Sequence, residues 1–512
     1  MTRRLAAFFL LLLGMLPVPT PLGCAIPFVD QGPAPLPLQP PPRYLLEPAA
    51  SPLARVETPG PAPPQPAQPQ AAQAGPSSIP ADGPWWSAFA DPALDALIQE
   101  ALAHNHTLRD LRGLYHENML VPARPNGPLW PLQVHIPVAV ERARRATAAT
   151  PTSGLGLTNY DASAAVAANY QLDVFGQLAL QRKAFDDLAA IQGQSAEATA
   201  QTTAALVAQV WFEILSQRAL LDLLEQQVAL NEDLAGLVQS RFEAHLTSHL
   251  AVLQQAQQLL NTRAQVPLIT ARLALLASEL SSLLGRPPSP SASAMVPPDR
   301  RLPELPPAAA VGVPNDLVTS SPEVRGAQLR VTEANDRMAI NRASWLPVIS
   351  LSGDVGWQTF DFNHPATFDG NSAFGTWSYG VRLTWPIFDG GQRLIEAKQI
   401  TLTIKRRNML YEQAFLEAVR RVQDAQIQEA KQADNVRTLR AEVELAQKVL
   451  GEARQLFEQG LSDYLAVLTA LGNLSDLERT LLQAQRLHLS YRIQLYRALG
   501  GTWSKAIVER DD

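Results

Sequence analysis

The 512-residue sequence predicts an α+β membrane protein made of one plan used twice: a pair of β-strands followed by a very long helical hairpin. Three observations predict it. Phe242–Leu253 and Phe457–Leu468 are identical at seven of twelve positions without a gap, 215 residues apart. Residues 152–266 and 387–512 contain no proline and are rich in Ala, Leu, Gln, Glu and Arg, all good helix formers. Before each of these tracts the chain alternates apolar and polar residues with a period of two, the signature of a strand.

At the N-terminus, Arg3 and Arg4 precede twelve apolar residues, Leu5–Leu16, too few to anchor the chain across a bilayer. Residues 1–23 therefore read as a signal peptide. Cys24 is the only cysteine, so no internal disulfide is available. Its setting, "PLGC", resembles a bacterial lipobox in which the cysteine is lipidated: Gly23 fits, and Pro21 stands where an aliphatic residue is usual. An ordinary signal peptide with an incidental cysteine is the alternative. Residues 24–82 are rich in Pro, Ala and Gln, cannot bury enough apolar surface to fold, and read as a lipid-anchored, extended spacer.

The folded body begins near "PWWSAFADPALDALIQEALAHN" and divides into two structural repeats, 83–310 and 311–512. Gln177–Phe242 and Gly391–Phe457 each predict a helix of about 65 residues, roughly 100 Å long. Such a length requires a coiled-coil-like partner. A second helix runs back from each duplicated stretch, to Gly285 and to Gly500, also 215 residues apart. The duplicated stretch is thus the turn of a helical hairpin.

Tyr160–Val174 carries its apolar residues at even positions, and Trp377–Ile387 at odd ones. Leu132–Val140 and Val348–Thr359 alternate less cleanly, interrupted by Pro137 and several glycines. Alternation has two explanations: a soluble sheet packed on a core, or a barrel with one face in lipid and the other lining water. Four strands cannot close a barrel, and an open edge is not tolerated in lipid. The membrane reading therefore requires several copies of the chain.

Composition narrows the function. A net charge of −6 leaves no nucleic-acid footprint, so no nucleic acid is expected as a partner. Mean hydropathy is near zero and no run of eighteen apolar residues occurs, which excludes a multi-helix membrane protein. No Walker loop, GxSxG or GxGxxG is present, so neither a catalytic residue nor a cofactor is expected. His245 and His249 have the i, i+4 spacing of helix-borne metal ligands but no carboxylate between them. They, and His104 and His106, read as solvated polar residues, with no metal site expected.

The plan resembles the TolC-like outer-membrane factor family, in its lipoprotein branch serving resistance-nodulation-division efflux systems. The resemblance is carried by "WWSAFADPALDALIQEAL" (85–102), "YQLDVFGQL" (170–178), "RFEAHLTSHLAVLQQA" (241–256), "VGVPNDL" (311–317), "WLPVISLSG" (345–353), "WPIFDGGQ" (385–392), "FEQGLSDYLAVL" (457–468) and "YRALGGTW" (496–503). It implies a homotrimer with four strands per protomer in a twelve-stranded outer-membrane β-barrel, above a periplasmic α-barrel of long helical hairpins. It implies a passive exit duct for drugs or other small molecules, opened by a periplasmic adaptor and fed by an inner-membrane efflux transporter. Adaptor docking maps to Ala244, His245, Leu246 and Thr247 and to Gln459, Gly460, Leu461 and Ser462.

The periplasmic constriction maps to Leu250, Leu253, Gln254, Leu465, Leu468 and Thr469. His245 stands where the family has glycine, Thr469 where an aspartate is expected, and Gly472 where a charge would help pairing between protomers. Between Arg109 and Pro131 the sequence is about ten residues shorter than the family pattern and holds Pro122, Pro125 and Pro128. The first ascending helix should be truncated there or replaced by an extended segment. Two rival functions are a periplasmic coiled-coil scaffold lipoprotein without a pore and a duct for type I protein secretion or metal-ion export.

Overall fold

A computed structural model describes residues 84–122, 129–145, 157–288, 302–303, 305, 316–361, 373–501 and 503. The signal-like stretch, Cys24 and the spacer lie outside these residues, as do 311–315 of "VGVPNDL" and the centres of both strand-connecting loops.

A 3-10 turn, Trp85–Phe89, leads into helix α1, Pro92–His104. Asp91 caps α1: its Oδ1 accepts from the amides of Ala93 at 3.0 Å and Leu94 at 3.4 Å, and proline occupies the first turn, where no amide is needed. Asn105 alone separates α1 from α2, His106–Leu120, and caps it by accepting from Leu108 N at 3.2 Å. Helix α2 ends just before Pro122, as the prolines require. Its counterpart in the second repeat, α6 (Pro322–Ala343, after the short α5, Leu317–Ser320), has 22 residues against 15. The seven missing residues correspond to about 10 Å of helix. Where a longer α2 would have run, the Leu129 carbonyl accepts from Nε and Nη2 of Arg182 at 3.2 and 2.7 Å.

Five strands form one antiparallel sheet: β1 (Leu132–His135), β2 (Val138–Arg145), β3 (Leu157–Leu172), β4 (Val348–Asp361) and β5 (Ala373–Thr384). β1 and β2 both pair with β3 in one continuous register, Leu132 opposite Tyr170 and Val138 opposite Ala164. β3 then pairs with β4, and β4 with β5. The single strand expected from Leu132 to Val140 is therefore two. Ala165 N donates to the Pro137 carbonyl at 3.1 Å, but Pro137 has no N–H to return the bond, and the ladder breaks there.

The sheet register puts Val134, Val138 and Val140, then Val166 and Tyr170, then Leu351, Val355 and Trp357, then Trp377, Tyr379, Val381 and Leu383 on one face. Every one of these side chains is exposed, Tyr379 by 82% and Val140 by 81%. No described element covers that face, so it packs on no described core of its own chain. The opposite face carries Gln133, His135, Asn169, Gln171, Ser350, Ser352, Asp354, Ser378 and Arg382. Ser378 donates to Asp354 across β4 and β5. Gly356 is needed here: a Cβ on it would lie 2.5 Å from that of Ala165.

The long helices are α3 (Gln177–Glu243) and α7 (Gln392–Glu458), 67 residues each. Both start by the same device, a left-handed glycine, Gly176 or Gly391, preceded by an aspartate. Asp173 accepts from Leu178 N and Ala179 N, and Asp389 from Gly391 N and Arg393 N, which satisfies amides of the first turn. The return helices are α4 (His249–Leu283) and α8 (Tyr464–Leu499). Pro267 lies inside α4, where its ring cannot donate to the Arg263 carbonyl.

Each return helix ends on a left-handed glycine backed against the other end of its own repeat. A Cβ on Gly285 would meet the His104 carbonyl oxygen at 2.4 Å, and one on Gly500 that of Ser320 at 2.4 Å. Helix α2 packs on α3, α3 on α6 and α6 on α7, so these four form an arc. The main core sits beneath it, where Trp211, Phe212 and Ile214 of α3 meet Trp85, Trp86, Phe89, Leu280 and Tyr496. Trp211 Nε1 donates to Asp91 Oδ2 at 2.9 Å within this core.

Candidate functional site: the two hairpin tips

The two tips use one local solution. In the first, His245 N donates to the Phe242 carbonyl and Leu246 N to that of Arg241, at 2.9 and 2.8 Å. In the second, Gly460 N donates to Phe457 and Leu461 N to Leu456, at 3.0 and 2.9 Å. This paired closure of a helix end requires a left-handed residue. Gly460 supplies it at φ 75°, and His245 takes it at φ 57° despite its side chain. The return helices then restart on matched caps: Ser248 Oγ accepts from Ala251 N, and Asp463 Oδ1 from Ala466 N. An aromatic pair braces each turn, Phe242 with His249 at 5.4 Å between centroids and Phe457 with Tyr464 at 5.6 Å.

The tip residues Ala244, His245 and Leu246, and Gln459, Gly460 and Leu461, are exposed, while Thr247 and Ser462 are half-buried. One or two turns up, Leu250, Leu253 and Leu465 are exposed by 62, 55 and 55% and touch no core of their own protomer. Gln254 is half-buried. Thr469 is exposed, but its hydroxyl turns back to the Leu465 carbonyl at 2.8 Å. Leu468 differs from the other leucines: it packs on the cluster of Leu234, Val238, Ala251, Phe457, Tyr464, Val467 and Leu471 that joins the two hairpins. His249 stacks on Phe242, and His104 Nδ1 lies 3.2 Å from the Glu100 carbonyl oxygen. Among the described residues, no three His, Cys, Asp or Glu side chains gather as metal ligands would.

Two tie points between the hairpins escaped the sequence reading. Arg241, near the end of α3, donates from Nη1 to the Glu458 carbonyl at 3.0 Å and covers the Phe457 ring at 4.6 Å. A cation there also faces the negative end of α7. Higher up, the buried amide of Gln255 donates to the Asn231 carbonyl at 2.7 Å and to its side chain, while the Tyr464 hydroxyl donates back to Gln255 Oε1. Three helices are joined by one amide. A basic residue in the last turn of α3 and a glutamine on an otherwise apolar flank of α4 were the available signals.

Residues 313–501 match the family model described as outer membrane efflux protein. The chain is 30% identical over 435 residues to the toluene efflux pump outer membrane protein TtgF of Pseudomonas putida, covering 82% of this chain and 85% of that protein. It is 25% identical over 434 residues to the pyoverdine export outer membrane protein OpmQ of Pseudomonas aeruginosa, covering 82% and 87%. In solved structures the fold recurs in a membrane protein of Pseudomonas aeruginosa, with a TM-score of 0.74 at 23% identity over 87% of this chain and 99% of that one. It recurs also in the outer-membrane channel OprN, with a TM-score of 0.71 at 21% identity over 86% and 99%. A strand pair and long hairpin used twice, an apolar sheet face open to the outside and a match along four-fifths of its length give one conclusion: the chain belongs to the outer membrane efflux protein family.

Proposed function

We propose that this protein is the outer-membrane exit duct of a tripartite efflux pump, a homotrimer that passes drugs or other small, largely apolar molecules outward without chemistry. The observation that carries this reading is the sheet: one exposed face with a broad apolar band from Val134–Val140 across to Trp377–Leu383, one polar face, and two open edges, along β1–β2 and along β5. Unpaired edges in hydrocarbon cost several kcal/mol per group, so three copies, with β1 and β2 counted as one interrupted strand, close twelve strands into one barrel. The apolar face then meets outer-membrane lipid and the polar face water. Cys24 carries the lipid anchor, residues 24–82 tether it, and the repeats 83–310 and 311–512 form the duct.

In this trimer the tips around His245 and Gly460 receive the periplasmic adaptor, and an inner-membrane efflux transporter supplies the cargo. Leu250, Leu253 and Leu465 narrow the entrance by apolar packing. The names of relatives that handle toluene support an apolar cargo. The experiment is purification in mild detergent, mass determination by light scattering, and conductance in a planar lipid film. A trimer with discrete ion conductance is expected. A monomer that conducts nothing overturns the proposal.

A further inference from the structure

The arc α2–α3–α6–α7 is one pair of helices used twice, and among the described residues no further helix of the chain continues the arc beyond α2 or α7. The register of the duplication is fixed. α3 maps onto α7 by 215 residues, since Gln177 and Glu243 begin and end the first helix as Gln392 and Glu458 do the second. α2 maps onto α6 by 216, since the caps Asn105 and Ser321 correspond, and Leu108 and Val324 are both fully buried three positions later. The operation that carries α2–α3 onto α6–α7 carries the α3–α6 seam onto a seam between α7 and the α2 of a second copy. Each contact in the internal seam therefore names a pair of residues in the external one.

The internal seam is held by an ion pair, Arg325 Nη2 to Glu197 Oε2 at 2.6 Å, with the carboxylate side chain only 4% exposed. Its images are Arg109 and Glu412: both charges survive the duplication. Asp187 and Asp336 meet in the internal seam, and their images are Leu402 and Leu120, exposed by 65 and 69%. The aspartate pair is replaced by a leucine pair, while Lys183, which donates to Asp336 at 3.1 Å, keeps its charge in its image Lys398. One difference follows. Gly326 lets α6 approach α3 to 3.3 Å from a virtual Cβ to that of Gln194, but its image is Asp110, which keeps the external seam wider.

We propose that Arg109 of one protomer pairs with Glu412 of the next and that Leu120 packs on the neighbour's Leu402. A second copy of this chain is the occupant of both flanks, and the inference rests on the trimeric reading above. The test uses the full-length chain purified in mild detergent. R109C/E412C treated with a bis-maleimide of about 10 Å span should give covalent dimers and trimers, because that span bridges the reach of the paired side chains. R109C alone and E412C alone should give no more product than the unsubstituted chain, which controls for Cys24, and E197C/R325C should add links only within one chain.

In parallel, R109E and E412R each place like charges at all three seams and should weaken assembly about tenfold or more. The doubly reversed chain should recover most of that loss, and helix content should stay unchanged throughout. A trimer of wild-type mass with no interchain product from R109C/E412C, or single reversals not rescued by the double, overturns this inference and leaves the duct reading standing. A monomeric wild type overturns the duct reading itself.

Discussion

Asp91 does two jobs with its two oxygens, and the jobs can be separated. Oδ1 caps α1 through Ala93 N and Leu94 N, while Oδ2 takes the indole N–H of Trp211 at 2.9 Å. Asp91 is 5% exposed and Trp211 fully buried, so water cannot replace either bond. Asp91→Ala removes a cap worth about 1 kcal/mol. It also leaves a buried indole donor unpaired at about 1–3 kcal/mol, for a total of about 2–4 kcal/mol. Asp91→Asn keeps the capping oxygen but turns an amide N–H₂ toward another donor, and should cost only the second part, about 1–3 kcal/mol.

In the Trp211→Phe background the donor is gone, so Asp91→Ala should cost about 1 kcal/mol, the cap alone. The assay is loss of helical circular dichroism on heating or in denaturant, at one detergent and one protein concentration. Equal costs for Asp91→Ala with and without Trp211, or an Asp91→Asn indistinguishable from wild type, would refute the division of labour.

Five other outcomes are expected. Gly460→Ala should cost about 1–2 kcal/mol for the left-handed backbone alone, since its Cβ meets nothing closer than 3.7 Å. Gly285→Ala and Gly500→Ala add a backbone oxygen at 2.4 Å and should be worse, read as lower yields of folded protein. His245→Gly should relieve about 1–2 kcal/mol of left-handed strain against about 0.5–1 kcal/mol of extra chain entropy, slowing amide exchange at the first tip only slightly. Burial, with the Asp336 carboxyl beside it, pushes the Asp187 carboxyl up from 3.8 to about 7. The folded chain thus holds a proton that the unfolded chain has released, so stability falls as pH rises from about 4 to about 7, and Asp187→Asn should flatten that slope. Gln255→Leu strands the Asn231 side-chain oxygen and the Tyr464 hydroxyl and should loosen the tips, raising the conductance of the purified channel in a planar film.

Much of this was legible because it is local. The repeat, the two long helices, the glycine stops and the shortened α2 follow from helix propensity, proline placement and identity at a fixed offset. The alternation of Trp377 to Leu383 and its exposure carry the same message in sequence and in structure. The split of the first strand was written in Pro137, but only the register shows that its missing N–H faces β3. The tie points at Arg241 and Gln255 join residues over 200 positions apart, so the sequence marks one end of each and not its partner. Leu465 and Leu468 sit three apart in one motif, yet one faces outward and the other inward, a difference set by the neighbouring hairpin rather than by either leucine.

Pro267 has a mechanical consequence. Above it, Leu273, Leu276, Leu280 and Leu284 lock the end of α4 into the main core; below it, only Ala251, Gln255 and Thr262 are buried. The proline sits at that boundary, eighteen residues or about 27 Å from the start of the helix. There it removes one rung of the helix ladder, at the kind of position where helices bend. The matching position in α8 is Leu482, so under the same load α4 is expected to bend more readily than α8.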